Sequence, residues 1–246
     1  MSGHSKWSTI KRKKGAIDAK RSKIFSKIIK DINISVKESG PDPENNPRLR
    51  LAIANAKGAN MPKDNVARAI NKAADKDAAH FTETTYEGYA PNGIAVYVEC
   101  TTDNVQRTVA NVRSYFNKFG GSLGTNGSLS FLFDRKGVFT VAMGDINQDE
   151  FEMALIEAGA EDIELEEEFF TITTAMEDFG SMMKKLEELG IEPESASLQR
   201  VPKETTKLDI DSARKVMKLI DLFEDDDDVQ DVYHNLEISE ELMEEM

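Results

Sequence analysis

Two periods of apolar and polar positions run along this chain, and the switch between them divides it. Residues 1–16 follow neither period. They are basic and polar, include Gly3 and Gly15, and are expected to form an arm. From about Asp18 to Glu38, Ile24, Phe25, Ile28, Ile29, Ile32 and Val36 share one side of a helix turning about 100° per residue. Lys20, Lys23, Lys27 and Lys30 fall on the opposite side. Ser39-Gly40-Pro41-Asp42-Pro43 breaks this helix. A second helix begins near Pro47, with Asn46 as its cap, buries Leu49, Ala52, Ile53 and Ala56, and ends at Gly58. A third runs from Pro62 to about Asp75 and buries Val66, Ala67, Ile70 and Ala74. Short connections and small apolar residues predict a helical bundle. Residues 76–85 read as a polar linker.

Beyond Tyr86 the period shortens. Ile94, Val96, Val98 and Cys100 alternate with Ala95, Tyr97 and Glu99, the pattern of a half-buried strand. Asp103 or Asn104 caps a helix carrying Val105, Val109, Val112, Phe116 and Phe119. Gly120-Gly121 closes that helix, and a strand is expected at 128–133. Residues 137–201 read as strand 138–142, helix 149–158, strands 162–166 and 169–174, helix 176–189 and strand 197–201. That β-α-β-β-α-β order is the ferredoxin-like pattern. A helix near 211–224 and a strand near 231–238 return to the sheet begun at Tyr86. The expected fold is therefore α+β and multidomain: an N-terminal helical bundle, then two ferredoxin-like α+β domains, the second inserted in the first. The boundaries are 1–79, 80–136 plus 204–246, and 137–203.

Charge changes this picture more than composition does. The 246 residues carry a formal net charge of −14 and an isoelectric point near 4.8, which taken whole argues against a polyanionic ligand. Residues 1–76, however, hold 18 Lys and Arg against 7 Asp and Glu, a net +11, while the remainder carries −25. The first 30 residues hold ten bases and a single acid, Asp18. Such asymmetry points to nucleic-acid binding by one segment. Lys6, Lys11, Arg12, Lys13, Lys14, Lys20, Arg21, Lys23, Lys27 and Lys30 are the candidate phosphate contacts. Trp7 lies among them, either as a base-stacking ring or as an apolar anchor for the arm. No helix-turn pattern for base readout accompanies the block.

No catalytic constellation is apparent. His4, His80 and His234 are scattered, and Cys100 occupies an inward strand position. No ligand set with metal-binding spacing recurs, so no metal and no cofactor is expected. The glycine-rich run 120–127 follows a helix and precedes a strand, the reverse of a phosphate cradle, and reads as a turn. The acidic runs at 164–168 and 225–228 read as solvated faces. No apolar stretch approaches the roughly 20 residues that span a bilayer, and no signal peptide is expected.

Six short motifs, in order along the chain, carry a resemblance. They are Met-Ser-Gly-His-Ser-Lys-Trp (1–7), Lys-Ile-Phe (23–25), Pro-Asp-Pro-Glu-Asn-Asn-Pro-Arg-Leu-Arg (41–50), Asn-Met-Pro-Lys-Asp (60–64), Tyr-Glu-Gly-Tyr-Ala-Pro-Asn-Gly (86–93) and Gly-Gly-Ser-Leu-Gly (120–124). Together they resemble the YebC family. The resemblance implies a helical N-terminal domain followed by two α+β domains. It implies a non-enzymatic, DNA-binding transcriptional regulator in the cytoplasm. The alternative, from a mitochondrial relative that promotes translation of a cytochrome oxidase subunit, is a factor that binds the ribosome and its RNA and assists elongation. The expected partners are DNA, ribosomal RNA, or both, with no membrane, a protein partner on the acidic domains, and a monomeric state. The motif match begins at residue 2 or 3, which is expected to leave no transit peptide.

Overall fold

A computed structural model describes residues 18–75, 79–144, 146–166, 168–239 and 242. Lys6, Trp7, Lys11, Arg12, Lys13 and Lys14 lie outside the described residues, and so does the side chain of Lys20. The chain divides into two compact units, one of residues 1–27, 79–134 and 201–246, the other of residues 28–78 and 135–200.

The second unit begins within helix α1 (Asp18–Ser39), followed by α2 (Pro47–Gly58) and α3 (Lys63–Ala74). Asn46 starts α2 as its sequence predicts. Its side-chain oxygen accepts from the Leu49 amide at 3.0 Å, and Pro47 takes the first helical position, where no amide is needed. Ile28, Ile32 and Val36 form the buried stripe of α1. Ile24 and Ile29, expected on that face, are each 41 % exposed, because they lie at the margins of a stripe narrower than the full apolar arc.

After α3 the unit resumes with β4 (Phe133–Ala142), α5 (Gln148–Glu157), β5 (Ala160–Glu166), β6 (Phe169–Ala175), α6 (Phe179–Glu188) and β7 (Ser195–Pro202). The sheet order is β5-β6-β4-β7, with β4 and β5 both antiparallel to β6. This is the ferredoxin-like arrangement that the β-α-β-β-α-β order predicts. Phe151 and Leu155 of α5, Met182 and Leu186 of α6, and Phe139, Val141, Phe170 and Ile172 of the sheet make its core. Leu51 of α2 packs against the same core. Asn55 of α2 pairs with the backbone of Ala196, accepting from its amide at 2.9 Å and donating to its carbonyl at 3.0 Å. The side-chain amide thus satisfies part of the open edge of β7, as a neighbouring strand would.

The first unit holds β1 (Thr82–Tyr89), β2 (Ala95–Thr102), α4 (Val105–Lys118), β3 (Ser122–Leu123), α7 (Ile210–Asp225) and β8 (Val229–His234). Its sheet order is β3-β1-β2-β8, antiparallel throughout. Strand β1 covers 82–85, which reads as linker in the sequence. Its threonines and glutamates satisfy the backbone ladder with β2 without offering an apolar alternation. Strand β2 is buried on both faces rather than one. Val96, Val98 and Cys100 meet α4 and α7, while Ala95 and Tyr97 meet Leu129, Phe133 and Tyr233. The strand expected at 128–133 is instead a short 3-10 turn over Ser130–Leu132, and extended structure begins at Phe133.

Candidate nucleic-acid interface

Four of the predicted phosphate contacts have described side chains, all on α1: Arg21, Lys23, Lys27 and Lys30. Arg21 lies over the ring of Phe25, 5.5 Å from its centroid. The Lys23 ammonium donates to Asp225 Oδ1 at 2.6 Å and to the Asp225 carbonyl at 3.2 Å. Lys27 donates to the Gln230 carbonyl at 2.8 Å, and Gln230 Nε2 donates back to the Lys27 carbonyl at 3.2 Å. Lys23 and Lys27 therefore tie the part of α1 that belongs to the first unit to the end of α7 and the start of β8. The Lys23 and Asp225 side chains are 37 % and 72 % exposed. A pair that open to water contributes at most about 1 kcal/mol.

Asp225 is placed by the acidic run that follows it, and that run is only in part the solvated face its composition suggests, since Asp225 and Asp227 are exposed while Asp226 is half-buried and Asp228 is buried. Asp228 is 5 % exposed. It accepts from Arg107 Nη2 at 2.7 Å, from Arg107 Nε at 3.1 Å and from Thr108 Oγ1 at 2.9 Å. Thr108 Oγ1 is also 2.8 Å from Thr102 Oγ1. The carboxylate holds the Arg107 guanidinium pKa above its ordinary value, with Asp103 adding to the effect. Asp226 accepts from the Tyr115 hydroxyl at 2.7 Å and from Asn111 at 3.2 Å. Burial first, then the hydrogen bond and charge of Asp226, push the Tyr115 hydroxyl up to about 12. These aspartates thus tie the turn between α7 and β8 to α4. Nothing in a run of four identical residues marks which of them is buried.

The glycine-rich run 120–127 does hold an anion, but one supplied by the chain itself. Glu87 of β1 is 2 % exposed, and its carboxylate accepts from the backbone amides of Gly127 and Leu129. The Glu87 carbonyl accepts from the Gly124 amide at 2.7 Å. The carboxylate occupies the concavity these amides form, so the run is a structural clamp. The signal available in the sequence is a charged residue, Glu87, at a strand position between glycine and tyrosine.

Further bases lie on the N-terminal helices. Arg48 pairs with Glu38 at 3.1 Å, Arg50 donates to the carbonyls of Pro43 and Glu44, and Lys37 donates to the Asp75 carbonyl. Lys63, Arg68 and Lys72 of α3 are exposed. Among the described residues no group of three His, Cys, Asp or Glu side chains is arranged to hold a metal ion. Cys100 is buried in the first unit's core. No helix of the described residues is long and apolar enough to cross a membrane.

Comparison with known proteins covers nearly the whole chain. A model described as the TACO1/YebC protein N-terminal domain matches residues 5–76, and one described as the TACO1/YebC second and third domain matches residues 81–236. A protein of Amoebophilus asiaticus named "Probable transcriptional regulatory protein" is 58 % identical over 239 residues, covering 96 % of this chain and 98 % of its own. One of Rubrobacter xylanophilus with the same name is 50 % identical over 248 residues, covering 100 % of this chain and 99 % of its own. The crystal structure of a conserved hypothetical protein from Aquifex aeolicus superimposes with a TM-score of 0.83 at 45 % identity, covering 91 % of this chain and 93 % of that one.

Proposed function

This chain belongs to the TACO1/YebC family, and on that footing we propose that it is a non-enzymatic nucleic-acid-binding regulator, acting on transcription through DNA. The observation that carries the reading is the charge of the first 30 residues, ten bases against one acid in a protein whose net charge is −14. Residues 1–30 grip the phosphate backbone by charge and without base readout. The negative remainder repels the same backbone and confines contact to the N-terminal segment. Residues 80–136 with 204–246 act as one domain around the inserted residues 137–203. The protein works as a cytoplasmic monomer.

The shared name of the relatives supports a regulatory role. Phosphate contacts alone do not separate duplex DNA from ribosomal RNA, which needs base or 2′-hydroxyl readout. Crosslinking the full chain to nucleic acid in growing cells and sequencing what is bound makes that separation. Reads concentrated on chromosomal DNA are expected. Reads confined to ribosomal RNA overturn the transcriptional reading in favour of translation, and recovery of neither overturns nucleic-acid binding altogether.

A further inference from the structure

We propose that the outer face of α5, together with the edge strand β5, is a docking surface for a lysine-rich amphipathic segment of a protein partner. The proposal rests on the second unit alone and is independent of the nucleic-acid reading.

Helix α5 has an ordinary inner face, with Phe151 and Leu155 buried at 4 % and 0 % exposure. Its outer face is not ordinary. Met153 and Ile156 are 67 % and 63 % exposed and lie three residues apart, so they stand side by side one turn along the helix. At about 100° per residue Met153 points directly away from the centre of the buried pair. Leu165, on β5, is 37 % exposed. It lies two residues beyond Ile163, which packs on the core beneath the helices, so it stands on the helix-bearing side of the sheet. Strand β5 is the last in its sheet, and among the described residues no strand pairs with its outer edge.

Charge selects the occupant of this face. Between Gly137 and Met183 the sequence has thirteen Asp and Glu and no Lys, Arg or His. Asp149, Glu150, Glu152 and Glu157 flank the apolar pair on α5 itself. Two of these carboxylates have lysine neighbours from just outside the stretch. Lys136 pairs with Glu161 at 2.6 Å, and Lys185 lies 3.9 Å from Glu157. Such a face repels nucleic acid and anionic lipid. It also repels a second copy of itself, because pairing two copies would bring like charges together around Met153 and Ile156. A cationic segment with apolar side chains at helical spacing satisfies both features. Its apolar side covers Met153 and Ile156, and its lysines meet the flanking carboxylates.

The test uses the full chain and a fluorescent synthetic peptide with leucines on one helical face and lysines on the other. An all-lysine peptide of equal length serves as the comparison. The Leu/Lys peptide is expected to bind more tightly than the all-lysine peptide. Met153→Gln with Ile156→Gln, at exposed positions where Gln keeps the helix, is expected to weaken the Leu/Lys peptide about tenfold and leave the all-lysine peptide unchanged. Asp149→Asn, Glu150→Gln and Glu157→Gln together are expected to weaken both and flatten their salt dependence. Unfolding midpoints equal to the parent chain's confirm that both variants are folded. Equal affinity of the two peptides, or no effect of the apolar substitutions, overturns the proposal. So does a dimer in sedimentation velocity that the same substitutions dissolve, which would make the occupant a second copy.

Discussion

Tyr115 reports on the acidic turn that positions Asp225. Its hydroxyl donates to Asp226, and burial, that hydrogen bond and the nearby aspartates raise its pKa from 10.0 to about 12. In the unfolded chain the phenol ionises near its ordinary value; in the folded chain it keeps its proton longer. The folded state therefore binds the extra proton between those two values. Its stabilising contribution is full below pH 10 and is lost as pH rises toward about 12. Absorbance titration should find Tyr115 among the late-ionising members of the five tyrosines. Tyr115→Phe should lessen the fall of unfolding free energy over that range. A Tyr115 that titrates at its ordinary value would contradict the Asp226 contact. Other residues differ in how much of their role could be read in advance. Asn46 before Pro47 announces a cap, and it is one. Its second role, donating to the Ser35 and Gly40 carbonyls at 2.7 and 2.8 Å, depends on two chain segments meeting, and no local pattern encodes that. Glu87 and Asp228 are hidden for the same reason, since a carboxylate is buried only where amides or a guanidinium converge on it.

Helix α2 and the sheet of the second unit are among the elements the sequence predicts best, α2 because it has a cap, Asn46, and a terminating glycine, Gly58, of its own. Helix α3 is found where expected but turns Ala69 and Ala73 inward rather than Val66, Ala67, Ile70 and Ala74. Strand β1 is predicted only in part: Thr82–Thr85 has no apolar alternation and is held by its ladder with β2. Both-face burial of β2 is equally invisible from the strand alone, because the second layer comes from Leu129, Phe133 and Tyr233, distant in the chain. At Gly58 local preference and packing conflict. Ala is favoured over Gly in a helix by about 1 kcal/mol. A Cβ at Gly58, however, would stand 1.9 Å from the Glu194 carbonyl oxygen and 2.6 Å from its carbon. Both are backbone atoms, with no flexible side chain to move aside. Packing decides the sign, and Gly58→Ala should destabilise the chain by about 1–3 kcal/mol in urea unfolding. The Asn55–Ala196 pair next to this contact should show reduced protection in hydrogen exchange. A variant as stable as the parent would mean that α2 does not approach the start of β7 this closely.

Across the whole molecule the organising feature is charge, +11 over residues 1–76 and −25 beyond. This division was legible in the sequence before any fold was known. What the sequence did not disclose is that part of the basic face is already engaged. Lys23 meets Asp225 and Lys27 meets the Gln230 carbonyl, so in the proposed binding these two lysines would reach phosphate only by exchange. The bases whose side chains lie outside the described residues, Lys6, Lys11, Arg12, Lys13, Lys14 and Lys20, bear most of the proposed binding, and four of them adjoin one another at 11–14. Duplex binding by such contacts falls with salt in proportion to the number of phosphates neutralised, with a logarithmic slope of about −0.9 per contact. The most direct test is that slope, measured for the full chain and for a full-length variant with Lys11, Arg12, Lys13 and Lys14 all changed to Gln. A slope shallower by about 3 to 4 in the variant, with weaker binding to every duplex sequence alike, is the predicted result. An unchanged slope, or loss of binding to one sequence only, would contradict it.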